Sequence, residues 1–120
     1  MEQPEVLGLR EITATWRVEV VLDLPEILAL LSRLIRLVGM EPYALPFVLS
    51  FPTPGGKGGV GYQVYQGLVE SFAVVGTWPE LGFIRITLSS CSVRLFNPNE
   101  VSKWLSREFG FVVKQIWGET

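Results

Sequence analysis

Residues 70–80 read Glu-Ser-Phe-Ala-Val-Val-Gly-Thr-Trp-Pro-Glu, an apolar run that Glu70 and Ser71 open and Thr77, Trp78, Pro79 and Glu80 close. The single cysteine, Cys91, falls on the strand expected next, and glycines crowd the loop upstream. A hydroxyl, a thiol and two carboxylates at the ends of neighbouring core strands can build a site. Each group also has a plainer role. Ser71 suits a strand bend, and Cys91 suits a small buried apolar position. Trp78-Pro79 suits a turn whose indole fills the core beside it, and Glu80 a solvated turn.

The chemistry open to these groups is narrowed by what the chain lacks. Histidine is absent, which removes the residue whose ordinary pKa of about 6.5 makes it the usual acid–base catalyst. Ser-His and Cys-His nucleophile pairs are thereby excluded. One cysteine makes neither an internal disulfide nor a cysteine-based zinc site, so no metal is expected, and a lone thiol fits a reducing cytoplasm.

A formal charge of −2, with Lys57 the one cation between Arg36 and Arg85, offers no basic stripe for nucleic acid. The acidic start Met1–Glu5 does not read as a signal peptide. The longest apolar run, 27–38, is interrupted by Ser32, Arg33 and Arg36, so no membrane span is expected. The segment Pro54-Gly55-Gly56-Lys57-Gly58-Gly59 suggests a phosphate cradle. Gly58 stands where that pattern needs serine or threonine, however, and no helix start follows, so Gly55–Gly59 reads as a loop.

The elements that must position these residues follow from periodicity. With 120 residues, 48% hydrophobic and 18% charged, the chain reads as one folded domain over 1–120. Residues 12–22 alternate, with Trp16, Val18, Val20 and Leu22 on one face, as in a half-buried strand. Asp23 stands three before Glu26 with Pro25 in the first turn, a capping-box start. Ile27, Leu30, Leu31, Leu34 and Val38 then recur at helical spacing until Gly39.

Strands are expected at 43–51, 60–69, 71–77 and 82–90, the first of them marked as an edge by Pro42 and Pro46. Asn97, Pro98 and Glu100 open a second helix whose apolar stripe is Val101, Trp104, Leu105 and Phe109, capped by Gly110. A last strand is expected over 111–117. The order β-α-β-β-β-β-α-β argues for an α+β, two-layer α/β sandwich: a mostly antiparallel sheet with two helices on one face. The other sheet face would lack helices, and its strands are apolar on both sides. A homodimer through this open face is therefore expected.

The stretch from Glu70 to Cys91 resembles the bacterial and archaeal S-adenosylmethionine decarboxylases, small pyruvoyl enzymes of spermidine and polyamine biosynthesis. The family pattern is Glu-Ser-His, three variable residues, His-Thr-Trp-Pro-Glu, a tyrosine-glycine pair and a strand ending in cysteine. The chain has Glu70-Ser71-Phe72, three residues, Gly76-Thr77-Trp78-Pro79-Glu80, then Leu81-Gly82 and a strand reaching Cys91, without a gap. Asp23-Leu24-Pro25-Glu26 and the Gly-rich segment also have counterparts, so the resemblance covers roughly residues 14–113.

The resemblance implies a decarboxylase that cuts its own chain between Glu70 and Ser71. Ser71 would become the pyruvoyl group that acts as electron sink, and Glu70 would end the small fragment. Cys91 would return a proton to the substrate carbanion, and Glu80 would hold the substrate ribose. No separately bound cofactor is implied.

Three departures touch the cleavage machinery. The histidine that removes the α-proton is Gly76 here, and the one after the serine is Phe72. The serine that assists processing falls on Gln63. General-base assistance contributes about 10²–10⁴-fold, so cleavage is expected to be strongly impaired. The first expectation is a catalytically impaired binding or regulatory homologue for an adenosyl nucleoside, a polyamine or an active paralogue. The alternative is an active pyruvoyl-dependent decarboxylase using another base, and the third reading is a structural dimeric domain.

Overall fold

A computed structural model describes residues 11–56, 58–69, 71–91 and 96–119. The elements run β1 (Glu11–Val18), α1 (Leu24–Leu37), β2 (Phe47–Pro52), β3 (Val60–Leu68), β4 (Ser71–Trp78), β5 (Phe83–Cys91), α2 (Pro98–Phe109) and β6 (Gln115–Glu119), with a short 3₁₀ turn at Pro54–Gly56. This is the element order expected from the sequence. The six strands form one sheet in the order β2-β3-β4-β5-β1-β6, and all neighbours pair antiparallel. Among the described residues no helix is long and apolar enough to cross a membrane.

Both helices pack on one face of the sheet. Ala14 and Trp16 of β1, Val64 of β3, Ala73 and Val75 of β4 and Ile86 and Leu88 of β5 meet Ile27, Leu30 and Leu34 of α1 and Val101 and Leu105 of α2 in a single core. Trp16 is fully buried, and its indole N–H donates to Ser102 Oγ of α2 at 2.8 Å. That bond lets a large polar-tipped ring sit in the core without an orphaned donor. Arg33 of α1 reaches Glu108 of α2 at 3.0 Å and ties the outer surfaces of the two helices together.

The helix boundaries are set by local chemistry. The Asp23 carboxylate accepts the Glu26 backbone N–H at 3.0 Å, and the Glu26 carboxylate accepts the Asp23 N–H at 2.9 Å, completing the capping box. Asn97 Oδ1 accepts the Asn99 N–H at 2.9 Å, and Gly110 closes α2 in the left-handed conformation.

Three strands are shorter than their alternation suggested. β1 ends at Val18, where its partner β5 begins, and the chain turns away through a Val20 N–H to Val18 O bond of 2.9 Å. β2 begins at Phe47 rather than 43, because Ala44 adopts a left-handed φ of 72° between two prolines; this segment pairs only through a Pro42–Leu68 bridge. β6 begins at Gln115 because Val113 is instead buried against α2, its N–H donating to Ser106 Oγ at 2.8 Å.

Replacing Asp23 by alanine should cost about 1 kcal/mol of stability, since one first-turn N–H loses its acceptor. A urea midpoint unchanged from wild type would show that the cap contributes nothing.

Candidate functional site

The residues singled out by sequence divide between the two ends of β4. Ser71 opens the strand and pairs directly with Ser90 of β5, one residue before Cys91. Paired residues of an antiparallel sheet share a face, and Ala73–Leu88 and Val75–Ile86 continue the same row into the core. Ser71 and Ser90 therefore stand on the helix side. Ser90 is 1% exposed, and the Oγ atoms of both serines are buried without a hydrogen-bond partner. Orphaned hydroxyls at neighbouring positions are uncommon in a core. Two of them mark a polar spot where the sheet ends. The backbone of Cys91 lies beside it as the last residue of β5, opposite Glu11 of β1. Glu70 lies outside the described residues.

Glu80 is at the other end. β4 spans eight residues, about 23 Å at ~3.3 Å per step, and Glu80 follows in the turn to β5. Within one chain Ser71 and Glu80 are thus too far apart to share a ligand. The structure brings Ser71 near Ser90 and Cys91 but does not bring Glu80 to them.

The Glu80 turn has its own architecture. Leu81 and Gly82 N–H groups both donate to Trp78 O at 2.9 Å, and Gly82 adopts a φ of 79°. Oε1 of Glu80 is buried and unpartnered. The Gly-rich loop packs on this turn: a Cβ on Gly58 would fall 2.8 Å from both the Glu80 N and the Pro79 carbonyl carbon. Thr53 anchors the loop, donating from Oγ1 to Gly59 O at 2.8 Å. Gly58 therefore rests against the Pro79–Glu80 peptide, a contact the sequence did not disclose because it joins segments more than twenty positions apart.

Position 76 faces away from the helices, paired with Gln63 of β3 on one side and Arg85 of β5 on the other. Gly76 and Gln63 are thus direct neighbours on the open face, while Ser71 lies on the opposite face. The place of a side chain at 76 is filled by Trp78. A Cβ there would sit 3.2 Å from Cζ3 and 3.3 Å from Cη2 of the indole. Trp78 stacks on Phe83 with ring centroids 5.0 Å apart and planes within 11°. Arg17 lies over the Phe83 ring at 3.8 Å, and Arg85 lies 5.1 Å from the Trp78 ring. Arg17, Phe83, Trp78 and Arg85 form one cation–aromatic cluster, and its Trp78 packs onto the bare Gly76 backbone. Arginine stacking was the feature sequence reasoning missed. Its only sequence trace is that Arg17 and Arg85 occur on strands that turn out to be neighbours.

The described residues contain no group of histidine, cysteine or carboxylate side chains suited to a metal ion. No known family model and no curated protein matches the chain.

The packing of Gly58 gives a direct test. Gly58→Ala should cost about 2–4 kcal/mol, from a left-handed φ and a backbone overlap together. Gly55→Ala, with a φ of 67° but open space around it, should cost about 1 kcal/mol. Equal losses in urea denaturation would mean the loop does not rest on the Glu80 turn.

Proposed function

We propose that the chain is an S-adenosylmethionine decarboxylase-like protein that does not cleave itself, and that it acts as a binding or regulatory homologue. The observation that carries this reading is the state of Ser71, whose hydroxyl is buried with no hydrogen-bond partner. A serine attacks its preceding carbonyl only when a base accepts its proton or the hydroxyl is otherwise activated. The sequence holds no histidine, and position 76 is backbone covered by an indole on the far face of the sheet. The ligand class that fits the resemblance is an adenosyl nucleoside or a polyamine. The buried free oxygen of Glu80 is an acceptor suited to a ribose hydroxyl or an ammonium group.

A second reading, an active pyruvoyl-dependent decarboxylase cut between Glu70 and Ser71, draws support from one feature. Ser71 lies across from Ser90, whose chain neighbour is Cys91, so the pyruvoyl precursor and the proposed proton donor would belong to one end of the sheet. In this reading Glu80 would have to come from a second copy, because its own chain holds it at the far end of β4.

The proposed assembly is a homodimer through the open face. Phe47, Leu49 and Phe51 of β2, Tyr65 of β3 and Phe72 of β4 are exposed there, Phe47 at 61% and Phe72 at 45%. Arg17 and Arg85 pair directly across β1 and β5. Burying two cations against their own copies is costly, so the apolar β2–β4 half is the contact and the arginine half its rim.

Intact-mass spectrometry of fresh and long-incubated protein should show one uncut chain near 13.4 kDa. Two fragments dividing between Glu70 and Ser71 would overturn the first reading in favour of the second. If the chain is uncut, calorimetry should show saturable binding of S-adenosylmethionine or spermidine, and neither binding would leave a structural domain.

Light scattering at micromolar concentration should give a dimer that Phe47→Asp and Phe72→Asp together convert to a monomer. A monomeric wild type would remove the proposed interface.

A further inference from the structure

A cleft lies on the helix side, with neither Ser71 nor Glu80 in its lining. Its volume is about 440 Å³, within the range of small-molecule sites. One wall is α1, through Leu28, Leu31 and Ile35, and the other is the segment 40–46, through Met40, Pro42 and Pro46; Gln66 of β3 also lines it. The cleft lies where the 40–46 segment runs beside α1, with Gln66 of β3 at its floor.

The far wall is built, not loose. Tyr43 N–H donates to Gly67 O at 2.8 Å and Val69 N–H to Glu41 O at 3.0 Å. The buried Gln66 amide donates to Ala44 O at 3.1 Å and to Gly67 O at 2.8 Å. These bonds hold Ala44 in its left-handed conformation, a strain of the kind that recurs where a binding surface is pre-shaped. With both N–H groups of Gln66 committed to backbone, this side chain has no donor left for a ligand.

The charge at the cleft is Arg36. It lines the opening and is exposed, and among the described residues it enters no ion pair. Arg33, one turn earlier, is taken by Glu108. An apolar trough with one unpaired guanidinium at its edge matches one ligand shape.

We propose that this cleft binds a small alkyl monocarboxylate, with its chain on Leu28, Leu31, Ile35 and Met40 and its carboxylate on Arg36. The apolar walls supply affinity in proportion to chain length, and Arg36 selects the sign of the head group. The site is independent of the reading of Ser71, and either can fail without the other.

The test uses the full chain and hexanoate, octanoate, decanoate and octylamine below their micelle thresholds, followed by calorimetry and amide chemical shifts. Affinity should rise about fourfold per added methylene from hexanoate to octanoate, with shifts at Leu31, Ile35, Met40 and Gln66. Octylamine should bind more weakly than octanoate. Arg36→Gln should weaken octanoate about fivefold at low salt, a loss that shrinks as salt is added. No saturable decanoate binding, equal affinity for octanoate and octylamine, or shifts confined to the open sheet face would each overturn the proposal.

Discussion

The pairing of β4 with β5 is the constraint on which the rest of the molecule depends. Its register sets Ser71 against Ser90, Ala73 against Leu88, Val75 against Ile86 and Trp78 against Phe83. A slip of one residue would turn Ala73, Val75 and Thr77 out of the core and bring Phe72 and Val74 in. The register is held from both sides. Helix-side packing fixes one row, and the Trp78–Phe83 stack with its flanking arginines fixes the other. The turn at 79–82 sets the length of the connection, with Gly82 supplying the positive φ.

The same register separates the candidate site residues. One end of the hairpin carries the paired, unbonded hydroxyls of Ser71 and Ser90 beside the Cys91 backbone. The other carries the buried carboxylate oxygen of Glu80, whose backbone N lies against Gly58. A rigid strand about 23 Å long stands between them. A protein that used both on one ligand would need two copies. A protein that uses neither for covalent chemistry can keep both as a frame, which agrees with the non-cleaving reading.

The open face divides into two chemistries. On β2–β4, exposed aromatic and aliphatic side chains stand over glycines; Phe51 covers Gly61 as Trp78 covers Gly76. On β5 and β1, Thr13 bonds Ser89 at 2.9 Å and Thr15 bonds Thr87 at 3.0 Å, next to the Arg17–Arg85 pair. Hydroxyl ladders and stacked arginines satisfy themselves within one chain. The apolar half does not, and this asymmetry favours an interface confined to that half.

Much of the fold was legible because its signals are short-range. Asp23 and Glu26 specify a helix start by reaching three residues, Gly110 specifies a stop by its own φ, and Trp16 and Val18 declare a core by alternation. Composition alone removed histidine catalysis. Where strands ended was less legible, because β1 stops for want of a partner and β2 starts late behind a left-handed Ala44.

The opening stretch, 70–80, could be recognised in sequence as a frame with a glycine at 76. Only the tertiary structure decided that this glycine lies under Trp78, that Ser71 faces Ser90 on the other side of the sheet, and that Glu80 belongs to a different end of the molecule. Those relations depend on which strand neighbours which and in what register. They are long-range pairings that no local pattern along the chain encodes.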